Sequence, residues 1–227
     1  MRYLLVIFSL LFPAAAMSNT FTPTKDRTVN VIGAIDENSL GAADEILKLA
    51  DGSGKPIDLL IQSPGGMIYV GRTIVQSMSI AKRRGHQVRC AVVSYAASMA
   101  FTVLANCSER YALPEARMLY HPPRVGLFMT TMTPEAASQL ADDLHKTNKE
   151  IIDELLALYP VARKPFLKNY YREVWHTAAD LNAALPGGRA WITIVDDIAG
   201  LSTVVSDKSS DFSSAASGQI IYQYLPN

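Results

Sequence analysis

The chain has 227 residues, 49% hydrophobic and 19% charged, which excludes a disordered or low-complexity chain and leaves a core burying roughly 70% of the unfolded surface. Its 21 lysines and arginines balance 21 aspartates and glutamates, so the electrostatic footprint of a nucleic-acid binder is missing. Two cysteines are too few for a disulfide scaffold and match no zinc spacing, and no apolar run reaches the roughly 20 residues of a membrane-spanning helix.

Residues 1–16 read as a secretory leader: Arg2 precedes an apolar run to Phe12, and Pro13 is followed by three alanines ending at Ala16. The expected mature protein is therefore periplasmic or secreted; a start at Met17 would instead make it cytoplasmic. In an oxidising compartment Cys90 and Cys107 become a candidate pair.

A short segment, 17–27, precedes the first strand, expected at 29–33, where a β-branched run ends on Gly33. Leu40, Ala43, Ile46, Leu47 and Leu49 recur at helical spacing and predict a helix over 38–50, stopped by Asp51 to Gly54. A second strand is expected at 57–61, followed by the turn Ser63-Pro64-Gly65-Gly66. Residues 67–84 predict a helix with Lys82, Arg83 and Arg84 in its last turn and Gly85 just beyond. A third strand at 88–93 leads to a short apolar helix at 97–105, then short strands at 110–113 and 118–120. Thr133-Pro134-Glu135 opens a long amphipathic helix over 133–158, with proline at its first position. Alternating strands and helices predict an α/β fold with a parallel sheet. From 202 to 227 the chain is a serine-rich tail.

Three segments carry chemistry. Paired glycines at Gly65 and Gly66 allow backbone N–H groups to approach a ligand closely and to stabilise an oxyanion. Around Ser98, small residues take the chain from strand into helix, where free N–H groups and the helix dipole favour developing negative charge; a serine there also serves as a plain helix cap. His121 ends an apolar strand before two prolines, whereas His86 sits in a turn, His145 on a polar helix face and His176 beside Trp175.

Residues 28–200 resemble the Clp protease proteolytic subunit (ClpP) family. Its S-P-G-G turn is matched by Ser63-Pro64-Gly65-Gly66, its A-A-S-M segment by Ala96-Ala97-Ser98-Met99, and its base segment by Ala112 to Pro123, with Arg117 and His121 in register. The resemblance implies a ClpP/crotonase-like fold of repeated β-β-α units with a long handle helix, and a serine protease domain over 28–201. It implies Ser98 as nucleophile, His121 as general base, and the N–H groups of Gly65 and Met99 as oxyanion hole. Glu173 stands where the family has its triad aspartate, with Asp180 seven residues on as the other candidate. The implied substrate is a peptide or unfolded protein, and the handle helix at 133–158 implies a homo-oligomer. Nothing calls for a cofactor or a metal. The family works with an ATP-driven unfoldase; an exported chain meets no ATP, which argues against that partner. Ala100 stands where the family has glycine, and the segments before Val29 and after 202 depart from the family pattern.

Other readings remain. Tyr95-Ala96-Ala97-Ser98 also matches signal peptide peptidase A, a membrane-associated peptidase with a lysine base, for which Lys146, Lys149, Lys164 and Lys168 are the candidates. A non-catalytic relative would use the same fold as a scaffold or peptide binder, and acyl-CoA chemistry on a crotonase fold would leave Ser98 idle.

Overall fold

The computed structural model describes residues 19–52, 54–126 and 131–201. The expected leader at 1–16 and the serine-rich tail at 202–227 lie outside these residues. In chain order the elements are β1 (Thr20–Phe21), β2 (Thr28–Ile32), α1 (Leu40–Leu49), β3 (Ile57–Ser63), α2 (Ile68–Arg83), β4 (Val88–Ala97), α3 (Met99–Ala105), β5 (Glu109–Ala112) and β6 (Arg117–Leu119). There follow α4 (Pro134–Leu158), α5 (Arg163–Arg172), α6 (Ala178–Ala183), β7 (Thr193–Ile194) and β8 (Asp197–Ile198).

The main sheet is parallel, in the order β2-β3-β4-β5-β7, with β6 joined to the far end of β4. Every residue of β3 is buried, the apolar Ile57, Leu59, Leu60 and Ile61 and the polar Asp58, Gln62 and Ser63 alike, as befits a parallel strand covered on both faces. Ile57, Leu59 and Ile61 point to the helices and pack with Ile46 of α1 and Ile74 and Met78 of α2. Leu60 points the other way, to Ala91, Phe21, Val195 and Ile198, beneath the small parallel pair β1-β8. Asp58 interrupts this second face and is fully buried, but its carboxylate accepts both Arg89 Nε (2.7 Å) and Nη2 (2.8 Å) and the Thr24 backbone N–H. A buried carboxylate held by a forked guanidinium and a backbone donor is satisfied.

β4 is longer than its apolar stretch predicts. Its register with β3 shifts between Ile61 and Ser63, and beyond the shift it exchanges β5 for β6 as neighbour. The strand runs on to Ala97, immediately before Ser98. Cys90 of β4 and Cys107 after α3 form a disulfide with Cα atoms 6.0 Å apart. The bridge therefore closes the segment that contains the strand end, Ser98 and all of α3. Loop closure of this length is worth about 3 kcal/mol. The Cys90→Ala, Cys107→Ala double variant is expected to lose about that much unfolding free energy in a denaturant titration; a change under about 1 kcal/mol would show that the bridge constrains little.

The long helix forms as expected, with Thr133 Oγ1 accepting the Ala136 N–H (3.2 Å) at its start. Its expected apolar stripe divides, however. Ile151, Ile152 and Leu155 are buried against the domain, whereas Ala137 and Ala141 are exposed and Leu140 and Leu144 only half-covered. The first half of α4 projects from the body.

Candidate active site

The site lies where β3, β4 and β6 end. Ser98 joins β4 directly to α3 at φ 55, ψ −123, a backbone conformation that side chains other than glycine seldom adopt. Its N–H donates to Leu119 O (2.8 Å), and its carbonyl accepts Phe101 N–H (3.0 Å) and Thr102 N–H (3.3 Å). Buried Ala96, Ala97 and Ala100 leave room for so sharp a turn. The Ser98 hydroxyl makes no cap hydrogen bond to α3, so the plain cap reading does not account for this serine. Strain held at a strand-to-helix elbow is the geometry that presents a nucleophile.

β6 delivers His121. Met118 exchanges two 2.8 Å backbone hydrogen bonds with His176. Tyr120 is buried in a stack between Phe166 (centroids 4.9 Å apart) and His176 (5.2 Å). The next residue is thereby fixed at the wall of a cleft lined by Ser98, His121, Met99, Thr102, Tyr120, Pro123, Ile68, Ile151 and Leu155. Glu154, paired with Arg72 and accepting Asn106 Nδ2 (2.9 Å), fastens α4 to α2 and α3 and so holds Ile151 and Leu155 over the cleft.

Gly65 has φ +88, and a Cβ there would meet Ala97 O at 2.5 Å, Ser98 Cβ at 2.6 Å and Met99 N at 2.8 Å. The turn after β3 thus presses its backbone onto the elbow, an approach open only to glycine. The Gly65 N–H itself donates to Ser63 Oγ (3.1 Å), so it serves an oxyanion only by leaving that hydroxyl. Met99 N–H, at the first position of α3, has no intrahelical partner. Gly65→Ala is expected to lower kcat at least about 100-fold, the scale of losing an oxyanion donor, and to depress the thermal midpoint; unchanged kcat would remove this turn from the site.

Among the described residues no carboxylate makes a hydrogen bond or ion pair with His121. Burial is the main influence pushing His121 below the ordinary imidazole value; Arg124 acts the same way, and the Pro122 backbone opposes them. His121 Nδ1 is buried without a hydrogen-bond partner. The expected Glu173–His121 contact is not made: Glu173, at φ 52, ψ 52 after α5, gives its carboxylate to Arg124. Asp180 does not make it either, because its carboxylate caps α6, accepting Thr177 N–H and Oγ1–H, each at 2.8 Å. Glu173 stands three residues before His176, as His121 stands three after Met118, its partner in the antiparallel bridge, which favours Glu173 over Asp180. Lys146, Lys149, Lys164 and Lys168 do not line the cleft; Lys149 is paired with Asp153 on the outer face of α4. His86 is buried elsewhere, beside Ala50 O and Lys55 O. Arg124 and the Tyr120–His176 stack escaped the sequence reading, since neither a loop arginine nor a ring contact between distant segments leaves a periodic trace.

Comparison with known proteins agrees with this geometry. The Clp protease family profile matches residues 16–184. The chain is 30% identical over 161 residues to an ATP-dependent Clp protease proteolytic subunit of Streptococcus mutans serotype c, across 69% of this chain and 80% of that protein. It is 32% identical over 144 residues to ATP-dependent Clp protease proteolytic subunit 1 of Chlamydia abortus, across 60% of this chain and 72% of that relative. With a parallel α/β sheet that ends in one cleft bearing a serine and a histidine, the chain belongs to the Clp protease family of serine peptidases.

Proposed function

We propose that this chain is a serine endopeptidase that cleaves peptide bonds through an acyl-enzyme on Ser98, with His121 as general base. His121 Nε2 takes the Ser98 hydroxyl proton as Oγ adds to the peptide carbonyl. The oxyanion is met by Met99 N–H and by Gly65 N–H released from Ser63. The imidazolium then protonates the leaving amine, and the C–N bond breaks. Water, deprotonated by the same imidazole, releases the acyl group and returns the proton to Oγ. Glu173 is the third member, orienting His121 through Nδ1. The observation that carries the reading is an elbow serine whose hydroxyl is free of its helix, on the same cleft as His121.

The cleft walls beside Ser98 are chiefly Ile68, Met99, Ile151 and Leu155, which supports an apolar side chain next to the scissile bond. The disulfide supports function in an oxidising compartment, periplasmic or secreted, after removal of the leader at 1–16. There an ATP-driven unfoldase has no fuel, so peptides or unfolded segments enter unaided. The uncovered half of α4 supports assembly with further copies of the chain.

The test is fluorophosphonate labelling of the purified mature protein beside Ser98→Ala, with the modified residue located by mass spectrometry. Labelling at Ser98 that vanishes in the variant is the expected result. A folded, assembled protein that does not label would instead be a scaffold or peptide binder, the reading that the unpartnered His121 Nδ1 favours.

The base acts only when neutral, and burial lowers its pKa. It therefore stays neutral to lower pH than a free imidazole does, and the acid limb of kcat/KM is expected below about 6.5. A limb at or above that value in the wild type would mean that His121 is not the titrating base.

A further inference from the structure

We propose that Arg124 is a positioning residue that withholds Glu173 from His121, so that this structure is the uncoupled form of the site; the inference rests on Glu173 being the third member. Three observations carry it. His121 Nδ1 is buried and has no partner. Glu173, as far before His176 as His121 is after the bridge partner Met118, is held by a cation only three residues along the loop from His121. Glu173 is also kept in the left-handed region, where glutamate seldom lies, by Val174 N–H donating to Asn169 O (3.2 Å) on one side and the His176 bridge on the other.

The Arg124–Glu173 pair is exposed, with 60% and 39% of its side chains accessible, and exposed pairs contribute little. A buried imidazole nitrogen without a partner is the more costly feature. Arg124 tips the balance, because it competes for the carboxylate and its charge disfavours the imidazolium that Glu173 would stabilise. Among the described residues, the charged and titratable groups around the two imidazoles are Arg124 on the loop, Glu173 after α5, Tyr120 of the stack, and Asp180 of α6, which acts on His176. α3 and α4 contribute Thr102, Ile151 and Leu155, none of which titrates.

The experiment is an NMR titration of the His121 ring in wild type, Arg124→Gln, Arg124→Lys and the Arg124→Gln, Glu173→Gln double variant, with fluorophosphonate labelling rates on the same samples. Loss of the arginine charge alone raises the His121 pKa equally in both glutamine variants. Release of Glu173 onto Nδ1 adds to it in Arg124→Gln only, by about one unit, with labelling about tenfold faster; Arg124→Lys stays near wild type. Equal pKa values in Arg124→Gln and the double variant would overturn the inference. The expected pKa pattern without labelling of Ser98 in any variant would uphold the positioning role and sink the nucleophile instead.

Discussion

Ser98→Ala is expected to lower kcat by about 10⁴-fold or more while KM stays within about threefold and the fold is unchanged. The loss is confined to chemistry because the hydroxyl does nothing else. It makes no cap hydrogen bond to α3, and the contacts that hold the elbow run through the Ser98 backbone, to Leu119 O, Phe101 N–H and Thr102 N–H. Alanine keeps the Cβ that Gly65 accommodates, and it meets the same backbone penalty at φ 55, so the thermal midpoint is expected to move little. Steady-state hydrolysis of a peptide with an apolar residue before the cleavable bond reads kcat, and thermal unfolding reads the fold. Residual turnover within about tenfold of wild type would remove Ser98 as nucleophile; a collapsed midpoint would show that the hydroxyl is structural after all.

The parts of the fold that were legible are those whose periodicity is imposed by burial. β3 shows itself through Ile57, Leu59, Leu60 and Ile61, apolar on both faces because both are covered, and α2 shows its core face through Val70, Ile74, Val75 and Met78 and its end through Lys82 and Arg83. β1, β7 and β8 are two residues each, too short for any period, and Phe21 takes its place through contact with Tyr111 and Leu60 far along the chain. The alternation of α4 reads as one stripe, yet only its second half finds a core, since an amphipathic pattern does not say what covers it. At the site, Ser98 and His121 are singled out by the resemblance of their segments to the Clp protease family, because a serine before a helix and a histidine at a strand end are each ambiguous by themselves. The third member is less legible. Glu173 meets Arg124 instead of His121, and no residue spacing encodes which side chain a carboxylate engages.

The parallel sheet also explains why these three segments meet. In open α/β sheets the strands deliver their following turns to one edge, at their carboxyl ends. Gly65 follows β3, Ser98 follows β4, and His121 lies just past β6, whose alignment against residues 95–97 of β4 sets the histidine level with the elbow. The register shift in β4 matters for the same reason. Beyond it β4 pairs through residues 95–97 with β6, because β5 ends at Ala112.

His121→Ala is the second large effect, expected to lower kcat/KM by about 10³-fold or more and to abolish the acid limb of the pH profile. The reasoning starts from what else is present. Among the described residues no lysine lines the cleft, His86 and His145 lie outside it, and His176 is buried beneath Tyr120 with its backbone tied to Met118. If His121 is removed, Ser98 has no other base on the cleft and must lose its proton to water. The unpartnered Nδ1 makes the comparison with Glu173→Gln informative. If the uncoupled arrangement dominates in solution, Glu173→Gln costs far less than His121→Ala, because the carboxylate engages the imidazole only in part of the molecules. If the two losses are equal, the triad is assembled during turnover and Arg124 yields Glu173 readily. A His121→Ala variant that retains kcat/KM within about tenfold, with its acid limb intact, would instead mean that another group takes the proton, and the lysine-base reading would return.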